Sequence, residues 1–198
     1  MKCYTRPILA IILLTTSVYA QAQDGRKNSF GIFAGVGGAA VIQEALEGAG
    51  STDIGTGFSI GLNYYRSLSD KVAFETGAGW YMNEVTFKSA FNPSVDEKVR
   101  HEKVSMISIP VFLRLDVSKS FFLHGGLMGD FDFSANEYLD DQSGLGAGVG
   151  LGINFPLSQK VKMQINPFIN MHGLLMIEKP TYPQRLLETG IRLGIRMY

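Results

Sequence analysis

The sequence predicts an all-β protein, an eight-stranded antiparallel up-and-down transmembrane β-barrel. Three observations carry this. Apolar residues alternate with small or polar ones over stretches longer than ordinary soluble strands. Such stretches recur eight times, and the segments between them are alternately long and short. Composition agrees: with 198 residues, 45% hydrophobic, 18% charged and a mean hydropathy of +0.09, the chain is too polar for a bundle of membrane helices and too apolar for a disordered polymer. Eighteen basic and eighteen acidic side chains cancel, so neither a nucleic-acid-binding field nor a polyanionic tail is suggested and no nucleic-acid partner is expected.

The first segment reads as an export signal. Lys2 and Arg6 precede an apolar run from Ile8 to Ala20, and Ala20-Gln21-Ala22 supplies the small residues that signal peptidase accepts after Ala20 or Ala22. As a helix the run spans roughly 20 Å, short of a hydrocarbon core of about 30 Å. Residues 1–22 are therefore expected to be a signal peptide and 23–198 an outer-membrane β-barrel domain. Cys3 precedes the apolar run and would leave with the signal, so neither a lipoprotein anchor nor a disulfide framework is expected.

The strands are expected at about 30–41, 56–67, 72–88, 102–117, 120–133, 144–155, 161–176 and 188–198. In the third, Val72, Phe74, Thr76, Ala78, Trp80 and Met82 form one face, while Ala73, Glu75, Gly77, Gly79, Tyr81 and Asn83 form the other. In the sixth, Leu145, Ala147, Val149, Leu151, Ile153 and Phe155 oppose Gly146, Gly148, Gly150, Gly152 and Asn154. That accounts for many of the 23 glycines: they line a crowded interior in which bulkier neighbours need the space. Pro110 and Pro167 each remove a ladder donor, and each is expected near a bulge or a strand end where water pairs the orphaned carbonyl.

The connections set the architecture. Ser67 to Lys71, Val117 to Lys119 and Pro156 to Lys160 are tight, whereas Phe91 to His101 and Ile177 to Leu187 are long and contain prolines. Outer-membrane barrels have short periplasmic turns, longer external loops and an even strand number. In hydrocarbon every backbone N–H and C=O must be paired, and a closed sheet achieves this without helices. A soluble lipocalin-like barrel would invert the faces, and the glycine-rich face would make a poor aqueous surface.

Alternation sends Glu75, Arg114, Asp116, His124, Asp130, Asp132, Lys162, His172, Arg192 and Arg196 toward the lumen. Eight strands enclose a space that side chains can fill, and a lone buried charge is costly. These groups are therefore expected to pair with one another and plug the interior rather than form an ion path.

Motifs for other chemistry lack their context. Gly57-Phe58-Ser59-Ile60-Gly61 matches the hydrolase elbow, yet Leu62-Asn63-Tyr64-Tyr65 continues the alternation instead of starting a helix, so Ser59 reads as a small lumen residue. Gly35-Val36-Gly37-Gly38-Ala39-Ala40 matches a dinucleotide-binding turn, with Ala39 to Leu46 as its helix, but no parallel strand follows. A short helix over Val41 to Glu47 is an alternative reading for the first external loop. His101, His124 and His172 are too dispersed for a zinc motif, and Asp96-Glu97 and Asp140-Asp141 lack calcium-loop spacing, so no metal or cofactor is expected.

Several stretches together resemble a known family: Phe30 to Gly35 opening the barrel, Tyr64 to Lys71 at the first tight turn, Ile107 to Arg114 in the fourth strand, and Gly190 to Tyr198 at the end. On these the chain resembles the outer-membrane β-barrel domain family of the Bacteroidetes, PorT-like type. The resemblance implies a barrel in the outer membrane and assigns no chemistry. It also makes Tyr198 look like the closing aromatic that barrel-assembly machinery reads, although Ile191, Leu193, Ile195 and Met197 stand out of phase with it; an interfacial aromatic is the alternative.

The expected function is that of a small, non-catalytic outer-membrane barrel with a plugged lumen, serving a structural role or loop-mediated binding at the cell surface. Its partners would be outer-membrane lipid, the assembly machinery and an extracellular or envelope protein reached by the long loops. The alternatives are a lipid-modifying barrel enzyme and a narrow pore or secretion-associated barrel.

Overall fold

A computed structural model describes residues 28–43, 51–88, 99–134, 139–178, 180 and 183–198. Residues 1–22, read as the signal peptide, lie outside these, as do Asp96-Glu97 and most of the helix considered over Val41 to Glu47. Among the described residues nine strands are formed: β1 (Asn28–Ile42), β2 (Ser51–Asp53), β3 (Gly57–Ser67), β4 (Val72–Lys88), β5 (Val99–Asp116), β6 (Phe121–Asp132), β7 (Gly144–Pro156), β8 (Val161–Met176) and β9 (Arg185–Met197). Val41 and Ile42 thus belong to β1 and not to a helix.

All pairings are antiparallel. The ring runs β1, β3, β4, β5, β6, β7, β8, β9 and returns to β1. The short β2 extends the β3 stave, since both pair with β4. The break between them is bridged by Gly55 N–H donating to Ala39 O at 3.0 Å and Glu84 N–H donating to Thr56 O at 2.8 Å. Eight staves result, each with two neighbours.

The outer face is apolar at membrane level. Leu151 is 55% exposed and Trp80 is 46% exposed, and Ile32, Ile60, Leu113, Leu123, Val149 and Leu193 share that face. The alternate positions turn inward: Glu75, Arg114, Asp130 and His172 are buried. The faces are therefore those of a barrel in lipid and not of a lipocalin.

The two prolines do not behave as expected. Pro110 pairs with Met128 of β6 in mid-strand, and the β4–β5 ladder lapses over Gly77–Ala78 with the same register on either side, so there is no bulge. Pro167 pairs with Ile191, and the β7–β8 ladder lapses at Leu151–Gly152 beside it. There the Asn166 side chain replaces the missing donor, its Nδ2 donating to Leu151 O at 2.8 Å. At Pro167, in mid-strand, a neighbouring amide thus pairs the orphaned carbonyl.

A bulge does occur in β8, where the register with β7 shifts between Leu145 and Ala147. Gly173 takes a left-handed φ of 65° there, a conformation glycine adopts without steric cost. The glycine row of β7 admits large rings from the neighbouring strand β6, where Phe122 pairs with Gly152 and His124 with Gly150. A Cβ at Gly152 would meet the Phe122 ring, and one at Gly150 would meet the His124 ring. Gly152→Leu should therefore destabilise the barrel by about 1–3 kcal/mol, whereas Gly129→Ala, with nothing within 4 Å of the added atom, should leave it unchanged. Asn166→Ala should cost about 1–3 kcal/mol by orphaning the Leu151 carbonyl. Urea unfolding in detergent micelles measures all three.

Candidate functional site: the lumen

The inward positions build three stacked zones, and the arginines in them contact aromatic rings more than acids. At the end carrying the tight turns, Tyr198, Arg196, Tyr65, Arg114 and Phe122 alternate as a ladder of cations and rings. Arg196 lies 4.8 Å from the Tyr198 ring and 4.2 Å from the Tyr65 ring, and Arg114 lies 5.6 Å from Tyr65 and 3.5 Å from Phe122. A guanidinium stacked on a ring keeps its edge free for hydrogen bonds. Arg196 Nε donates to Ser29 Oγ at 2.8 Å, Arg114 Nη2 donates to Asn154 Oδ1 at 2.9 Å, and Arg114 Nε donates to Asp116 at 3.1 Å. Gln164 Nε2 donates to the same Asn154 oxygen, and Tyr65 Oη donates to Gln164 Oε1 at 3.3 Å.

Above this ladder Glu75 accepts from Asn63 at 3.2 Å and from His124 Nδ1 at 3.0 Å. His124 meets the Phe112 and Phe122 rings edge-on. At the waist Arg192 lies 3.6 Å from the Phe168 ring, 5.2 Å from Phe33 and 5.4 Å from Tyr81. A void of about 20 Å³ lies among Glu75, His124, Asn166 and Arg192, room for about a single water.

Toward the loop end, Asp130 and Glu188 flank His172. Its Nδ1 is 2.9 Å from Asp130 and its Nε2 is 3.5 Å from Glu188. Ser108 Oγ donates to Asp130 at 2.6 Å and Asn170 Nδ2 donates to Glu188 at 3.0 Å. The β8 bulge lies beside His172 and re-aims the strand at this point.

The expected network is thus gathered in part and differs in kind. Glu75, Arg114, Asp116, His124, Asp130, His172, Arg192 and Arg196 sit in these zones, but the acids bond chiefly to histidines and amides, with Arg114–Asp116 the acid–arginine contact described. Two expected members lie elsewhere. Lys162 stands at the tight-turn rim, 5.0 Å from the Tyr198 ring. Asp132 organises the third long loop, accepting from the N–H of Ser134 at 2.9 Å and of Gln142 at 3.2 Å, and bonding to the Ser134 hydroxyl. Glu188 was not anticipated although it shares the phase of Arg192 and Arg196, because the strand was expected to begin there and in fact begins at Arg185. Ser59 is buried in the lumen wall.

The mouth at the loop end reverses the chemistry. Ala39, Val41, Tyr81, Val85, Val104, Met106, Leu139 and Leu186 form a buried apolar cluster inside the wall, while Glu84 and His101 on the outside pair at 3.1 Å. Leu139 comes from the third long loop, which Gln142 fixes: its Nε2 donates to Asp140 O at 2.8 Å and Gln184 O at 2.9 Å, and its Oε1 accepts from Leu186 N–H at 3.0 Å. Asp140 accepts from Gln184 N–H and Asp141 from Ser143 N–H, so these acids are spent on loop structure. Among the described residues no cluster of His, Cys, Asp or Glu could hold a metal ion.

His172→Leu removes the imidazole that lies between two buried carboxylates and should lower stability by about 3–5 kcal/mol. Arg114→Met takes one of two donors from the Asn154 oxygen and the guanidinium from the partly exposed Asp116, and should cost about 1–3 kcal/mol. Both are read from denaturant midpoints in micelles; unchanged midpoints in both would contradict an interior held by these contacts.

No curated protein matches the chain. Among solved structures it is similar to the outer membrane protein AlkL, determined in lipid bilayers, at 12% identity and a TM-score of 0.54, covering 89% of this chain and 92% of that one. It is also similar to Neisserial surface protein A, at 17% identity and 0.49 over 85% and 96%, and to OprG from Pseudomonas aeruginosa, at 13% and 0.49 over 87% and 97%. The family model for the outer membrane protein beta-barrel domain matches residues 8–166. The chain belongs to the outer membrane protein β-barrel domain family, and its place is the outer membrane.

Proposed function

We propose that this barrel is closed and non-catalytic, and that its long loops present a structural or binding surface outside the cell. The observation that carries the reading is the filled interior. A cation–ring ladder, the Arg192 waist and the apolar mouth follow one another along the axis, and the void at the waist holds about a single water. An ion path needs continuous water, and a side-chain plug interrupts it.

The arrangement of polar groups also supports a non-catalytic reading. Ser108, Asp130 and His172 are bonded in that order, with the carboxylate between hydroxyl and imidazole. A nucleophilic serine needs the imidazole next to its hydroxyl, and all three residues are buried. Residues 1–22 act as the export signal on this reading.

Within the family we assign the chain to the PorT-like group, supported by the four stretches quoted above, which fall in β1, the β3–β4 turn, β5 and β9. Tyr198 serves as the terminal signal for barrel-assembly machinery. It ends the stave that closes on β1, its N–H donates to Lys160 O at 2.9 Å, and its ring lies against Lys162 and Arg196.

Purified protein in planar bilayers should show conductance at background. Steady, large openings would make it a pore.

A further inference from the structure

The three tight turns repeat one pattern that the barrel's closure does not require. Each places an aliphatic residue, a serine and a nearby lysine in succession: Leu68-Ser69-Asp70-Lys71, Val117-Ser118-Lys119 and Leu157-Ser158-Gln159-Lys160. The aliphatic residue continues the outward phase of its strand past the end of the ladder and stays bare, with Leu68 41%, Val117 57% and Leu157 60% exposed. The serine braces the turn. Ser69 Oγ accepts from Val72 N–H at 3.1 Å, Ser118 Oγ from Phe121 N–H at 3.0 Å and Ser158 Oγ from Lys160 N–H at 3.3 Å. The lysine in each is exposed.

An interfacial ring pair marks the same level on the outer wall: Phe30 and Tyr64 lie 5.3 Å apart, with Tyr64 Oη donating to Asn28 at 3.1 Å. Charge is divided between the two ends. This rim carries Arg66, Lys71, Lys119, Lys160 and Lys162. Of its acids, Asp116 is bonded to the buried Arg114 and Asp70 is exposed. At the loop end the balance inverts, with Glu84, Asp140, Asp141 and Glu178 among the acids described.

We propose that these turns form a binding rim for anionic phospholipid headgroups in the periplasmic leaflet. The aliphatic residue extends the lipid-facing wall into the acyl region, and the serine-braced backbone holds the ammonium at the depth of the phosphates. Lysine suits this position because its stem lies along apolar surface while its charge reaches the headgroup. The occupant is lipid rather than an acidic protein, because each cation is joined through its turn to a bare aliphatic side chain on the membrane-facing column.

The test is made on the full-length protein in phosphatidylcholine nanodiscs, measuring association of spin-labelled phosphatidylglycerol against spin-labelled phosphatidylcholine. Wild type should enrich phosphatidylglycerol roughly fivefold at low salt, about the effect of a single cation near a charged membrane surface. The enrichment should fall toward unity in about 0.5 M salt and in the Lys71→Gln, Lys119→Gln, Lys160→Gln triple variant, and should persist in Lys103→Gln, a loop-end lysine. Heat-modifiable gel mobility confirms that each variant is folded; if the triple is not, each single variant should lose part of the enrichment. Equal association of the two lipids in wild type, or enrichment that survives the folded triple variant or, where that does not fold, each single rim variant, overturns the proposal.

Discussion

The structure depends on the cost of an unpaired peptide group in hydrocarbon. Water cannot satisfy an N–H or C=O there, so every stave must have two neighbours and the sheet must close. The long, unbroken alternation follows, because a stave that crosses lipid shows one face to acyl chains for its whole length. Local devices serve the same requirement. Where Pro167 lacks a donor, the amide of Asn166 supplies one, and where β3 breaks from β2, backbone groups of β1 and β4 bridge the gap. Beyond Ser105, β5 has no strand partner on the β6 side among the described residues, and the charges of Arg100 and Lys103 discourage chance pairing of that edge.

Closure creates a second demand, since a narrow cylinder in lipid holds its polar groups away from water. Opposite charges could neutralise one another, but an ion pair gives up the hydration of both partners. This interior relies instead on ring faces that meet the guanidinium groups, while Ser29 and Asn154 take up N–H donors of Arg196 and Arg114. The acids are held by imidazoles. Glycine makes the density reachable: Gly152 and Gly150 of β7 pair with Phe122 and His124 of the adjacent β6, and bulk on one strand is matched by its absence on its neighbour. A lumen filled in this way rigidifies the wall, which suits a scaffold for loops better than a conduit.

Much of this was legible in the sequence, for a physical reason. Period-two patterning reports directly on which face meets lipid, and each strand is long enough for the pattern to be unambiguous. Eight staves, their order and the side of the tight turns followed from it. Less legible was the change of chemistry along the axis. In β4 the outward series Phe74, Trp80, Met82 gives way to Glu84 and Thr86, while the inward series passes from Glu75 and Asn83 to Val85 and Phe87. The alternation continues with its meaning reversed, because the wall has left the bilayer and the ordinary rule of a dry inside and wet outside applies again. That reversal is a readable signal, and it marks the apolar mouth and the role of Asp132 in the third loop. Partner choice within the lumen was not legible: phase gathers Arg114, Arg192 and Glu75 on one face, but whether a guanidinium meets a carboxylate or a ring depends on stagger around the barrel.

The central claim is the direction in which the apolar face points, and the single tryptophan of the sequence reports on it. Trp80 stands on the outer wall, 46% exposed. In vesicles of lipids brominated along their acyl chains its fluorescence should be strongly quenched, while aqueous iodide should have little effect. Indifference to the brominated chains, with quenching by iodide or with a signal shielded from both, would contradict an apolar face turned toward lipid.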